Sequence, residues 1–205
     1  MTGRTPRAAE ARQDARNRAG QTYALTVLTP ILPGRHEALR ECIEGFGIGP
    51  ESPLAKLEST HFARLVVIPQ LIHEGGWQRL DELRNQYLLF ATDFDGTLER
   101  YLDDVCERMG EEADRIWGHC VGYPGTADRA AFERYIRHNQ LVTKFPFAPY
   151  GDKTVAEVRE ALALRQRLID FAIRTQGMAP EELYEAYRQE FGPPVAERAP
   201  EMQLR

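Results

Sequence analysis

Acidic side chains follow an apolar run near the middle of the chain, and their spacing could serve chemistry. Residues 88–98 read LLFATDFDGTL, so Asp93 and Asp95 stand where a predicted strand turns. A carboxylate can act as a nucleophile, and a second one beside it can act as general acid or base. The alternative is structural, with one aspartate capping the following helix and Gly96 taking the tight turn. Both interpretations stay open, and the structural one is favoured.

A histidine and an arginine lie in a second apolar run, which predicts another strand. Residues 60–64 read THFAR, and alternation along a strand sends Phe62 and Arg64 to one face and His61 to the other. A half-buried arginine needs a carboxylate partner or an anionic ligand. Asp93 or Asp95 is the candidate partner if the two strands are neighbours. Arg64 is therefore predicted either to form a structural ion pair or to hold an anionic group in a pocket.

A third group of candidate residues accompanies two predicted helices. His119 follows Gly118 on the flank of an apolar stripe, and Tyr123 lies in a Gly-Tyr-Pro-Gly turn. Histidine can act as acid, base or ligand near neutral pH, although a lone histidine is more often a hydrogen-bonded structural residue. His138 lies in the last turn of its helix, where the helix dipole favours a cation. The candidate ligand-binding residues are Phe62, Phe90, Tyr123 and His138, and no metal ligands are predicted.

The elements that must position these residues follow from periodicity. Apolar and β-branched runs predict strands at residues 23–31, 60–68, 87–92 and 141–147. Helical spacing predicts helices at residues 36–46, 77–84, 98–109, 113–121, 128–138, 154–176 and 180–191. Thr154 and Glu157 form a capping box at the start of the long helix. This β-α-β-β-α-β order predicts an α+β fold, an antiparallel sheet with helices on one face and extra helices after the third strand.

Length and composition bound the organisation of the chain. The 205 residues are 42% apolar with a net charge of −5, so nucleic acid is not an expected partner. Three widely spaced cysteines give neither a zinc motif nor a disulfide framework. No apolar run reaches the roughly 18 residues of a membrane span, so we expect a cytoplasmic protein with no membrane partner. We expect a frayed or disordered arm at residues 1–20, one domain at 21–176, and a helix with an extended tail at 177–205.

The sequence DFDGT after an apolar strand resembles the first motif of the haloacid-dehalogenase phosphatases. The resemblance implies that Asp93 attacks phosphorus and that Asp95 acts as general acid and base, with a magnesium ion between them. In that family the motif follows the first strand of a parallel sheet, whereas two predicted strands precede it here. A magnesium-dependent phosphatase is therefore one alternative for the function.

The strand order, with HFAR on the second strand and the FDG turn after the third, resembles the dimeric α/β-barrel branch of the ferredoxin-like folds. Members pair two sheets face to face around a pocket, and they include cofactor-free oxygenases, cyclases and isomerases as well as haem-binding proteins. The resemblance implies a homodimer and a small-molecule ligand, but it names no cofactor and no reaction.

The leading hypothesis is a small-molecule enzyme with its pocket against the sheet. Arg64 would hold an anionic or carbonyl group, His61 or His119 would move protons, and Asp93 or Asp95 would orient Arg64 or act as base. A second hypothesis is a binding module for haem or a hydrophobic ligand, with His119 or His138 on the metal side. The open face of the sheet is expected to be covered by a second chain or by the chain's own helices.

Overall fold

Three nine-residue strands form the centre of the sheet, and two short strands lie beside them. The computed structural model describes residues 14–71, 75–76, 83–142 and 145–192. The strands in chain order are β1 (Arg18–Ala19), β2 (Thr22–Pro30), β3 (Thr60–Ile68), β4 (Tyr87–Asp95) and β5 (Gln140–Leu141). The three long strands are the alternating, β-branched runs of the sequence, and their bounds agree with the prediction to within three residues.

The described strands form one antiparallel sheet in which β4 lies between β2 and β3. β1 and β5 both pair with the other edge of β2, β1 at its start and β5 at its middle. Because β2 and β3 are each antiparallel to β4, they run parallel to each other with β4 between them. The register opposes Val27 to Phe90 and Phe90 to Leu65, which gives every side chain a fixed face.

Helices cover one face of the sheet. The first four helices are α1 (His36–Glu44), α2 (Leu98–Arg108), α3 (Gly110–Trp117) and α4 (Arg129–Asn139), with short 3₁₀ turns at Gly49–Glu51 and Pro53–Lys56. Their apolar stripes pack on the inward residues of β2 and β4, where Phe94 stacks between Tyr23 and Tyr101 at centroid distances of 5.2 and 3.8 Å. Truncation of a fully buried ring such as Phe94 costs about 3–5 kcal/mol, so this stack is a major part of the core.

The opposite face of the sheet is only partly covered. The outward residues of β2 and β4, among them Leu28 and Leu89, are half-buried, and the side chains of Phe62 and Val66 on β3 are 75% and 41% exposed. We call this surface the open face. It is apolar along most of its length, with Arg64 as its charged residue on β3.

A partly buried polar cluster ties the N-terminal segment to α4 and α2. The guanidinium of Arg137 donates to the carboxylates of Asp14 at 3.2 Å, Glu133 at 2.8 Å and Glu99. The hydroxyl of Tyr23 donates to the same Asp14 carboxylate at 2.7 Å. Burial lowers the pKa of Arg137, but the hydrogen bond to Glu133 and the charges of Asp14 and Glu99 outweigh it and raise that pKa overall. These contacts join Asp14 to Tyr23 on β2 and to Arg137 on α4.

The predicted fourth strand is shorter than expected. In place of a strand over residues 141–147, β5 comprises only Gln140–Leu141, and residues 145–148 form no strand. Proline at position 146 has no amide hydrogen to donate to a ladder, which fits the absence of a strand at residues 145–148, but β5 ends five residues earlier. Residues 77–82 of the expected short helix, residues 1–13 of the arm and the tail from residue 193 lie outside the described residues.

The chain divides into two units, one ending at Val158 and the other beginning at Arg159. Helix α5 (Val155–Arg174) starts in the first unit and continues in the second, which also contains α6 (Pro180–Phe191). Within the second unit, the ring of Phe171 packs on the rings of Tyr187 and Phe191. Among the described residues, no helix combines the length and apolar character that a membrane crossing requires.

Candidate functional site

A β-bulge brings His61 to Asp95. The register between β3 and β4 shifts by one residue between Thr60 and Phe62, which leaves His61 without its own partner in the ladder. In such a bulge two residues on one strand oppose a single residue on the other, and the side chains are re-aimed. The Nε2 atom of His61 lies 2.8 Å from Oδ1 of Asp95. The prediction that His61 faces away from Phe62 and Arg64 is therefore wrong, because simple alternation fails at the bulge.

Asp95 is fixed from its other side by the start of α5. Its Oδ2 atom accepts a hydrogen bond from the backbone amide of Val155 at 2.7 Å. The predicted capping box holds this turn in place, because Glu157 accepts from the Thr154 amide at 2.8 Å and the Glu157 amide donates to the Thr154 hydroxyl at 3.2 Å. Both carboxylate oxygens of Asp95 therefore accept hydrogen bonds.

This arrangement sets the roles of the His61 nitrogens. A carboxylate accepts hydrogen bonds only, so Nε2 of His61 donates to Asp95, and in the neutral imidazole the lone pair is then on Nδ1. The His61 and Asp95 side chains are only 14% and 16% exposed, which shields the pair from bulk water. A histidine oriented by a carboxylate can accept a proton and then return it, which is the requirement for general acid–base catalysis.

A groove on the open face is linked to this pair through Asp93, which lines the groove and whose pKa the charge of His61 lowers. His61 and Asp95 themselves are not among the residues that line it. Its volume is about 570 Å³, and its floor is formed by outward residues of β2 and β4 such as Thr26 and Ala91. Arg64 and Asp93 line it, and the apolar wall is formed by Phe62 together with Phe147, whose side chain is 78% exposed. Polar groups beside an apolar surface in a concave site are typical of small-molecule binding.

The groove contains two charged side chains, Asp93 and Arg64, that form no ion pair with each other. Burial raises the pKa of Asp93, while the charges of Arg64 and His61 lower it to a smaller extent. Strands β3 and β4 are neighbours, yet the guanidinium of Arg64 forms no ion pair or hydrogen bond with any described residue. Arg64 is also exposed rather than half-buried. Its guanidinium is therefore available to an anion entering the groove.

The DFDGT turn has a structural explanation that differs in detail from the one expected. Gly96 takes the turn with φ of +94°, as predicted. The N-cap of α2 is Thr97, whose hydroxyl accepts from the Arg100 amide at 3.4 Å, so neither aspartate caps this helix. Strand β4 is antiparallel to both of its neighbours, whereas the phosphatase resemblance implies a parallel sheet.

The other predicted site residues lie away from the groove. Phe90 is on the opposite face of β4, in the core, with its ring edge-on to Trp117. The hydroxyl of Tyr123 donates to Asp114 at 2.6 Å, and burial and that carboxylate raise the pKa of Tyr123. His119 lines a shallow cleft beside Arg35, and burial followed by the Arg35 charge lowers its pKa. His138 is on α4, and the structure does not bring it to His61.

Three features of the site were not expected from the sequence. The bulge, the Val155 amide on Asp95 and the Phe147 wall depend on long-range packing that leaves no local signal. Among residues 14–71, 75–76, 83–142 and 145–192, no group of three His, Cys, Asp or Glu side chains could hold a metal ion. No family model, curated protein or solved structure shows significant similarity to the chain.

Proposed function

We propose that the chain is a small-molecule enzyme whose groove on the open face binds an anionic compound and carries out a proton transfer. Arg64 binds the carboxylate or enolate-type oxygen of the compound. His61 accepts and returns a proton, and Asp95 is a positioning residue that fixes the histidine tautomer. Asp93 accompanies Arg64 in the groove and offers a second proton-accepting group.

The observation that carries this proposal is the bulge-dependent contact of His61 with Asp95. The bulge interrupts the ladder of β3, and its effect is to place an imidazole on a carboxylate that is itself held by a helix amide. Bulges are frequent beside active sites because they re-aim one side chain. A purely structural pair would need neither a neighbouring groove nor an unpaired arginine in it.

We further infer that the fold is ferredoxin-like. The parallel pair β2 and β3 is joined through α1 and split by β4, and β4 and β5 are likewise parallel, joined through α2 to α4 and split by β2. Two interleaved split β-α-β units of this kind support the ferredoxin-like plan. Isomerases and cyclases of the dimeric α/β-barrel type use proton transfer without a cofactor, and the proposal extends that chemistry to this chain.

The test is solvent deuterium exchange into a panel of small oxo-acids and hydroxy-acids, followed by proton NMR. A histidine base that removes a carbon-bound proton exchanges it with deuterated water. We expect His61→Ala and Asp95→Asn to slow the exchange by roughly 10²-fold or more. Arg64→Gln should weaken substrate binding, measured as a raised concentration for half-maximal exchange.

Control variants outside the groove show whether a loss of exchange comes from the site or from damage to the fold. His138→Ala removes a histidine outside the groove, and Arg100→Gln removes an arginine from the exposed surface of α2, so both should exchange as the unchanged protein does. Exchange that persists in His61→Ala, or that is absent for every member of the panel, would contradict the proposal.

A further inference from the structure

The second unit exposes an apolar stripe along α5. From residue 159 to residue 174 every side chain of this helix is exposed except Phe171. Five large apolar side chains are 36–63% exposed, and they are Leu162, Leu164, Leu168, Ile169 and Ile173. A helix that is apolar on so wide a surface is normally buried.

The α6 helix covers a different side of α5. It contacts Phe171 through ring packing, and Glu190 on α6 pairs with Arg167 and Arg174 at 3.7 and 3.0 Å. Each helical residue advances by roughly 100°, so Leu162, Ile169 and Ile173 lie about half a turn from Phe171. Leu164 and Leu168 lie within about 60° of it, at the border with α6. A shallow apolar groove of about 390 Å³ runs along the stripe, lined by α5 residues that include Leu164, Leu168 and Ile169.

We propose that this stripe docks a second copy of the chain, so that two α5–α6 hairpins form a four-helix bundle. Two helices alone cannot enclose a core, whereas two hairpins packed face to face bury the stripe of each. We identify the occupant as a second copy of the chain for two reasons. The exposed apolar area is close to what a homodimer interface buries, and the charges of α5 are opposite to those of α6. The proposal uses no residue of the groove on the open face.

The exposed area fits a stable dimer. Taking a fully exposed large apolar side chain as roughly 170 Å², the five stripe residues expose roughly 400 Å² of apolar surface per chain. Apolar atoms make up about 65% of a homodimer interface, which implies roughly 600 Å² per chain. Standard interfaces bury about 800 Å² per partner, and the stems of flanking residues such as Arg165 supply the difference.

The charges of the hairpin are complementary to those of a second hairpin. Residues 159–174 of α5 carry four arginines against two acidic residues. Helix α6 carries four glutamates against one arginine. An antiparallel bundle that sets α6 of one copy beside α5 of the other therefore brings opposite charges together, whereas two α5 helices side by side along their whole length would repel.

The test is the molar mass of the full chain by light scattering after gel filtration. The unchanged protein should show at least twice the chain mass of 23.4 kDa. The double variant Leu162→Glu/Ile169→Glu should reduce the measured mass by a factor of two. Ile48→Glu is the matched control, because Ile48 is 92% exposed outside the stripe, and it should leave the mass unchanged. Far-ultraviolet circular dichroism verifies that each variant keeps its helices.

A second variant keeps the proposal falsifiable if the double variant does not fold. Leu168→Cys, at the middle of the stripe, should form a covalent dimer on mild oxidation much faster than Ile48→Cys. Phe62→Glu disturbs the open face, so a dimer held by the hairpins survives it and a dimer held by the sheets does not. A monomeric protein, or a mass that falls in Phe62→Glu and not in the double variant, overturns the proposal while leaving the proton-transfer chemistry of the groove to its own test.

Discussion

Replacing Arg137 by methionine should destabilise the first unit strongly, because the guanidinium is the one cation shared by three carboxylates in the cluster around it. Arg137 is 12% exposed in its side chain, and its partners Asp14, Glu99 and Glu133 are 20%, 45% and 33% exposed. Methionine keeps an apolar stem of similar length and removes only the charge and the donors. The three acidic groups would then face each other without a cation.

The magnitude follows from burial. Hydrogen bonds to charged groups contribute about 1.5–3 kcal/mol each, and breaking a buried pair costs about 3–5 kcal/mol. Because water reaches the carboxylates in part, we expect the lower end, a loss of about 3 kcal/mol in the free energy of unfolding. For a chain of this size, that corresponds to a fall of about 6–12 °C in Tm.

Urea unfolding followed by near-ultraviolet circular dichroism of the core aromatic residues measures this loss. Arg129→Met is the matched control on the same helix, because Arg129 is 52% exposed and lies 3.8 and 3.7 Å from its acidic partners. Exposed pairs of this kind contribute at most about 1 kcal/mol. If the two variants lost equal stability, or if Arg137→Met lost less than about 1 kcal/mol, the reasoning from burial would be refuted.

Two further predictions concern stability. Asp93→Asn should stabilise the protein at neutral pH, because burial raises the pKa of Asp93 in the folded state. The folded state therefore favours the protonated carboxyl group, and the stability that this group contributes is lost as the pH rises through the folded-state pKa. Asparagine stays neutral and avoids that loss. The gain should vanish under acidic conditions, where Asp93 is protonated in both the folded and the unfolded state. If the variant and the unchanged protein had equal free energies of unfolding at neutral as well as at acidic pH, the prediction would be contradicted. Gly20→Ala should cost roughly 2–4 kcal/mol in chemical unfolding, because Gly20 has φ of +64° and a Cβ there would lie 2.1 Å from the Gly151 carbonyl oxygen. Gly34→Ala, with φ of +74° and open space around it, should cost only about 1 kcal/mol; equal costs would show that the close approach is unimportant.

The regular elements were predictable because their signals are local. Strand β3 was expected at residues 60–68 and is found there, and the Thr154–Glu157 capping box forms as the spacing indicated. The fourth strand was expected over residues 141–147, with Pro146 as a sign that it lies on an edge or ends early, and β5 comprises Gln140–Leu141. The contact of Asp14 with Arg137 joins residues more than a hundred positions apart, so no local pattern announces it.

The candidate site was predictable only in its residue types. The sequence offered Asp93 and Asp95 as partners of Arg64 on the condition that the two strands are neighbours, and β3 and β4 are neighbours. Both aspartates lie at the end of β4, whereas the sequence had placed them in the turn after it. It could not say that His61 contacts Asp95, because the bulge changes the face on which His61 emerges and a bulge has no sequence signature here. Their local sequences made His119 and His138 candidates as good as His61. Only the packing of the helices shows that His119 and His138 lie away from the groove.

The bulge has a second consequence, which concerns the solubility of the sheet. Among the described strands, β3 pairs only through β4, so its other side presents unpaired amide and carbonyl groups. A long, regular edge of that kind is a template on which strands of other molecules can add. The extra residue at His61 breaks the spacing of those groups near the start of the strand, and the charge of Arg64 follows three residues later. The irregularity that orients a histidine therefore also discourages uncontrolled polymerisation along the sheet edge.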